Sequence, residues 1–197
     1  MVILPGTAPP SAYRQDADLR LGHHQIENAK VALLLAETLQ DHFPITTENI
    51  VDGLQDARHP GRLEFSGKYL FDGAHNIAGA KALREFLDES VTQSITLIFG
   101  AMKGKDIAEI GEILFPKADT LILTQPENSR AMPADELLSF VPKTIDQTRV
   151  FLTDTVEQGL IKADQLVAEN GLILITGSLY LVGEAKKILN ENMEFEI

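Results

Sequence analysis

From about residue 61 onward, short apolar runs alternate with helical patterns. This rhythm constrains the fold more than any other feature of the chain. Strands are expected at 69–71, 95–99, 120–124, 149–152 and 172–176, and helices between or after them at 78–87, 106–115, 134–140, 156–168 and 181–189. The strand runs are rich in Leu, Ile and Phe and apolar on both faces, as in a parallel sheet covered by helices on both sides. Connections long enough to hold a helix make right-handed crossovers. Residues 61–197 therefore read as an α/β domain, doubly wound around a mostly parallel sheet.

The N-terminal part has a different pattern. Residues 23–42, "HHQIENAKVALLLAETLQDH", place Ile26, Ala29, Ala32/Leu33, Ala36 and Leu39 at helical spacing. A second helix is expected from 46 or 47 to 55, with Thr46 or Thr47 as cap and Glu48 in its first turn. Pro60-Gly61 is the expected boundary. The start, "MVILPGTAPP", has no basic region and breaks at Pro5-Gly6, which is unlike a signal peptide. No run is apolar and long enough to suggest a membrane span.

The balance of 29 acidic against 17 basic residues, a net charge of −12, argues against a nucleic-acid surface. It leaves room for an anion in one local pocket. Hydrophobic residues make up 44 %, enough for a core, so disorder is not expected. The absence of cysteine removes disulfides and thiolate metal sites and fits a cytoplasmic location.

Chemistry concentrates where strands end. In "YLFDGAHNIAGAKALREFL" a strand stops at Asp72-Gly73, and His75-Asn76 precede a helix. Ligands of such sheets bind outside the carboxyl ends of the strands. Gly73 lets the chain turn sharply, Asp72 can accept hydrogen bonds from hydroxyls such as those of a ribose, and His75 and Asn76 sit where helix N–H groups favour negative charge. Turn and capping roles explain Asp72 and Asn76 as well, and a surface loop position explains His75. "GAMKGKD" follows the next strand. It departs from a Walker phosphate loop, having three residues between its glycines and Asp106 after the lysine. It reads as a turn with Asp106 as N-cap, while Lys103 and Lys105 can hold an anion. Ser178 in "ITGSLYLVGE" is a helix cap or a donor to a carboxylate. "QPENSRAMP" reads as a solvated loop with Arg130 as its only cation. Strand ends carrying Asp/His/Asn, Lys and Ser describe a pocket for something with hydroxyls and anions. No nucleophile–base pair, metal-ligand spacing or aromatic stacking platform is apparent.

The ordered segments "HPGRLEF", "FDGAHN", "FGAMKGKDI", "SRAMPADEL" and "ITGSLYLVGE" resemble folylpolyglutamate synthases, including bifunctional dihydrofolate synthases, of the Mur ligase superfamily. "GHHQIENAKVALLL" resembles the end of their central ATPase domain. The resemblance implies a Rossmann-like C-terminal domain over 61–197, preceded in 1–60 by a helical remnant of the central domain. It implies a ligase that uses ATP and Mg2+ to activate a folate carboxylate as an acyl phosphate, which L-glutamate then attacks. Carried over by motif, Asn28, Arg62, Asp72 and His75 would contact the nucleotide: Asn28 the adenine, Arg62 the γ-phosphate, Asp72 the ribose. Asn76, Lys105 and Ser178 would surround the glutamate carboxylates. No catalytic residue and no metal ligand is implied here, and Arg130 receives no role.

Departures accompany the resemblance. The family's phosphate loop, its magnesium and modified-lysine residues and its folate loop match nothing in these residues, and Ile77 stands where Pro is usual. The chain alone is therefore expected to be inactive, with the folate derivative bound through the missing domain. The apolar face of 23–42 is expected to be partly exposed or covered by self-association. A non-enzymatic binding module derived from the domain, and a different Mur-type amino-acid ligase, are the alternatives.

Overall fold

The computed structural model describes residues 23–57 and 60–194. These fall into two compact units, one ending at Pro60 and one beginning at Gly61.

In the smaller unit, α1 spans His23–Leu39 and α2 spans Thr47–Asp56. Thr46 starts α2 through a reciprocal capping box. Its hydroxyl accepts the Asn49 N–H at 3.2 Å, and the Asn49 side chain accepts the Thr46 N–H at 3.1 Å. Val31, Leu34 and Leu35 of α1 are each more than half exposed.

The larger unit is a six-stranded sheet of order β1-β2-β6-β3-β4-β5. Its strands are β1 Glu64–Ser66, β2 Tyr69–Phe71, β3 Ile95–Phe99, β4 Thr120–Leu123, β5 Val150–Leu152 and β6 Leu172–Thr176. All neighbours pair in parallel except β1, which forms an antiparallel hairpin with β2. The sequence reading missed β1. It is three residues long, half-buried and polar at both ends, so it carries no apolar run to read. The run at 69–71 is thus the second strand of the unit rather than the first.

Helices α3 Ile77–Ser90, α4 Ile107–Leu114 and α5 Ala134–Leu138 follow β2, β3 and β4, while α6 Val156–Leu166 and α7 Leu179–Glu194 follow β5 and β6. Two cores follow from alternation along the strands. Leu172 and Leu174 of β6 face Leu83 and Leu87 of α3 and Ile107 and Ile110 of α4. Ile173 and Ile175 face Val156 and Leu160 of α6 and Leu181 and Ala185 of α7. Each buried Leu, Ile or Phe contributes about 1.5–3 kcal/mol, so β6, buried on both faces, anchors both layers. The return from outer β5 to central β6 makes the sheet doubly wound and leaves the carboxyl ends of β2, β6, β3 and β4 along one edge.

Two polar ties lie away from that edge. The Tyr69 hydroxyl donates to Asp164 at 2.8 Å. Burial of the phenol, helped by that carboxylate, holds its pKa above the ordinary tyrosine value. Asp88 binds Lys117 at 2.6 Å and Arg84 at 2.8 Å, and Arg84 also donates to the Ile113 carbonyl at 2.9 Å, joining α3 to the end of α4. Among the described residues no helix is long and apolar enough to cross a membrane.

Candidate functional site

The end of β2 is stapled to the loop ahead of β1. Gly73 donates its N–H to the Gly61 carbonyl at 2.6 Å. The Asp72 carboxylate accepts the Leu63 N–H at 3.0 Å and the Ala74 N–H at 2.9 Å. Glu64 accepts the Gly61 N–H at 2.8 Å and pairs with Lys186 of α7 at 2.6 Å. Exposed Arg62 is thus held beside Asp72 by backbone geometry. The staple fixes an unusual conformation, with Gly61 at φ +73° and Leu63 at φ +45°. A left-handed leucine costs of order 1–3 kcal/mol, and such cost persists only where neighbouring bonds over-determine it.

His75 and Asn76 follow. His75 Nδ1 lies 2.8 Å from the Gly73 carbonyl. A carbonyl can only accept, so Nδ1 carries the proton and Nε2 is the acceptor of the neutral ring. Asn76 is the N-cap of α3, and its side-chain oxygen accepts the Gly79 N–H at 2.8 Å.

A cleft of about 170 Å³ opens along the carboxyl edge, lined by His75, Met102, Lys105, Arg130 and residues 177–180. Its floor is the turn after β6. Gly177 adopts φ +107°, where an added Cβ would lie 2.7 Å from the Gly100 carbonyl and from the Phe99 ring. Only glycine lets the ends of β6 and β3 approach this closely. Ser178 is 2 % exposed; its Oγ accepts the Tyr180 N–H at 3.1 Å, and its carbonyl accepts the Val182 N–H at 3.1 Å. Ser178 therefore caps α7 and keeps its hydroxyl proton for another acceptor. The start of α7, with Leu179 and Tyr180, opens on the cleft, and its partial positive charge favours an anion.

Lys105 and Arg130 supply full charges. Asp106 precedes α4, but its carboxylate makes no capping bond, so the expected cap is present in position only. No described residue forms an ion pair with Lys105 or Arg130. A second cleft, between β4 and β5, is lined by Asp135 and Asp154 and carries the opposite charge.

Of the residues singled out in the sequence, His75, Lys105 and Ser178 meet in one cleft, and Arg62 and Asp72 share one stapled turn. Asn76 caps α3 through its side-chain oxygen and is not among the residues that line the cleft. Asn28 lies on α1 of the smaller unit. Arg130, Met102, Leu179 and Tyr180 were not assigned. Arg130 left one signal, as the single cation in a loop after a strand. Among the described residues no group of three or more His, Asp or Glu could hold a metal ion.

Comparison with known proteins agrees with this architecture. Residues 61–189 match the family described as dihydrofolate synthetase, C-terminal domain. A probable bifunctional folylpolyglutamate synthase/dihydropteroate synthase of Halobacterium salinarum is 34 % identical over 84 % of this chain and 20 % of its own length. Folylpolyglutamate synthase of Lacticaseibacillus casei is 30 % identical over 86 % of this chain and 39 % of its own. The solved Mycobacterium tuberculosis folylpolyglutamate synthase complexed with ADP superposes with a TM-score of 0.77 at 27 % identity, covering 85 % of this chain and 40 % of that one. The chain spans between a fifth and two-fifths of the length of these relatives. It belongs to the family of dihydrofolate synthetase C-terminal domains.

Proposed function

We propose that this domain forms the nucleotide- and glutamate-contacting wall of an ATP-dependent ligase that adds L-glutamate to a folate derivative through an acyl phosphate. The observation that carries the reading is the convergence of His75, Lys105 and Ser178 on one cleft at the start of α7. In that cleft Lys105 attracts a carboxylate, the Ser178 hydroxyl donates to it, and the helix start adds partial positive charge. The amine of glutamate is thereby oriented toward the activated acceptor, and orientation of this kind lowers the barrier without new covalent chemistry. Asn76 stands beside this site and contributes through the amide nitrogen its cap leaves over.

The stapled turn supports the nucleotide part. Arg62 offers a guanidinium fork to the γ-phosphate. Asp72 stands at the end of β2 as a carboxylate acceptor suited to the ribose hydroxyls. His75 follows Asp72 in the same turn and lines the cleft, and Asn28 is assigned to an adenine contact by its motif alone. We assign residues 1–60 to the helical remnant of the central ATPase domain. ATP with Mg2+ acts in the complete enzyme, and none of the described residues is assigned to the metal. The chain alone does not ligate. Calorimetric titration with Mg-ATP and, separately, with L-glutamate tests the reading. Asp72→Ala removes the nucleotide heat and Lys105→Ala the glutamate heat; heats that survive both substitutions contradict it.

The half-exposed Val31, Leu34 and Leu35 favour self-association of the isolated chain through α1. Light scattering then gives a dimer or larger species that Leu34→Glu dissociates. A monomer at all concentrations refutes this.

A further inference from the structure

Lys105 and Arg130 come from loops after different strands, and the backbone fixes their relation. Met102 and Ala131 form an isolated antiparallel bridge. The Lys103 N–H donates to the Arg130 carbonyl at 2.8 Å, and the Met132 N–H donates to the Ala101 carbonyl at 2.8 Å. The Arg130 N–H is turned back onto the Asn128 side chain at 2.9 Å. The loop carrying Arg130 is thus an added rung on the loop that carries Lys105. Both loops leave the carboxyl edge of the sheet.

The charges of these side chains are left uncompensated. Lys68, Arg84, Lys117, Arg149, Lys186 and Lys187 each pair with a carboxylate. Lys105 and Arg130 form no ion pair with any described residue; Arg62, Lys81, Lys103, Lys143 and Lys162 do not either, but Lys105 and Arg130 are the two cations that line one cleft. No acidic side chain lines their cleft. Two uncompensated cations in one small cleft are arranged for a ligand with two negative charges. A volume of about 170 Å³ suits a small molecule rather than a drug-sized one.

We infer that Arg130 is the second carboxylate anchor of this cleft: Lys105 holds one carboxylate of the incoming amino acid and Arg130 the other. The cleft thereby selects a dicarboxylic amino acid over its side-chain amide. This inference rests on the reading that the cleft takes glutamate. The guanidinium fork matches a carboxylate in a bidentate geometry that an amide, with one acceptor oxygen, cannot complete. A site built to pair a charged group discriminates against the analogue lacking it, because its own charge is left without a partner.

The test titrates the chain with L-glutamate and with L-glutamine, for wild type, Arg130→Gln, Arg130→Lys and Lys105→Ala. Arg130 is exposed, so its substitution leaves the thermal midpoint unchanged, and this is checked first. Wild type prefers glutamate. Arg130→Gln weakens glutamate about tenfold, the range of a charge-assisted pair at an exposed site, while glutamine binding changes by less than about twofold. Arg130→Lys restores part of the preference. An unchanged glutamate-to-glutamine ratio in Arg130→Gln, with binding still lost in Lys105→Ala, overturns the inference and leaves the glutamate reading standing. Wild type that binds neither amino acid overturns both.

Discussion

The Asp72 carboxylate accepts the Leu63 N–H at 3.0 Å while Leu63 stands at φ +45°. One side chain at the end of β2 thus holds a strained residue next to Arg62. Its other oxygen accepts the Ala74 N–H at 2.9 Å and shapes the turn toward His75. Asp72 therefore positions both neighbours before any ligand arrives.

Removing this carboxylate releases the staple. Asp72→Ala leaves two partly buried N–H groups without an acceptor and lowers stability by about 1–3 kcal/mol. In urea denaturation the midpoint falls. Amide exchange accelerates at Leu63 and Ala74 before it accelerates in β3 or β6. Unchanged exchange at Leu63 would mean that the loop is held by the Gly73–Gly61 bond alone.

Gly177→Ala tests the floor of the cleft. The new methyl meets the Gly100 carbonyl at 2.7 Å, and the backbone is already at φ +107°. Neither the carbonyl nor the Phe99 ring can swing aside, so we expect a loss of about 3 kcal/mol, combining overpacking with backbone strain. Gly73→Ala makes a shorter approach, but to the end of the Leu179 side chain. Leu179 is half-exposed and moves away, so the loss is smaller. Thermal denaturation of the two variants checks the order.

Asp88 links α3 to the end of α4 through Lys117 and Arg84. The bond from Lys117, followed by that from Arg84, holds its pKa below the ordinary carboxylate value. A depressed folded-state pKa contributes stability above the unfolded value of about 4 and loses it as pH falls through the lower folded value. The pair is exposed and screened, so Asp88→Asn costs well under about 1 kcal/mol near neutrality. The difference from wild type fades as pH falls below the ordinary carboxylate range and through the lower folded value, and it shrinks in high salt. A difference that persists at low pH would point to packing rather than charge.

The parallel strands were legible because each is a continuous apolar run between turn residues. Ile95–Phe99 and Leu172–Thr176 were read with their observed bounds, since burial on both faces leaves nothing to alternate. Three-residue β1 was not legible, because an edge strand half in water needs no apolar pattern. His75, Lys105 and Ser178 were legible as strand-end residues, since sheet topology alone brings such ends together. Arg130 was not. Its place depends on the Met102–Ala131 bridge, a backbone pairing between two irregular loops that leaves no pattern in the sequence.

The most direct measurement is amide shift mapping of the labelled chain during titration with L-glutamate. Shifts should concentrate at Gly73–His75, Lys103–Asp106, Arg130–Ala131 and Gly177–Tyr180, and should disappear in Lys105→Ala. Shifts at Asp135 and Asp154 instead, or none at saturating ligand, would contradict a glutamate site in this cleft.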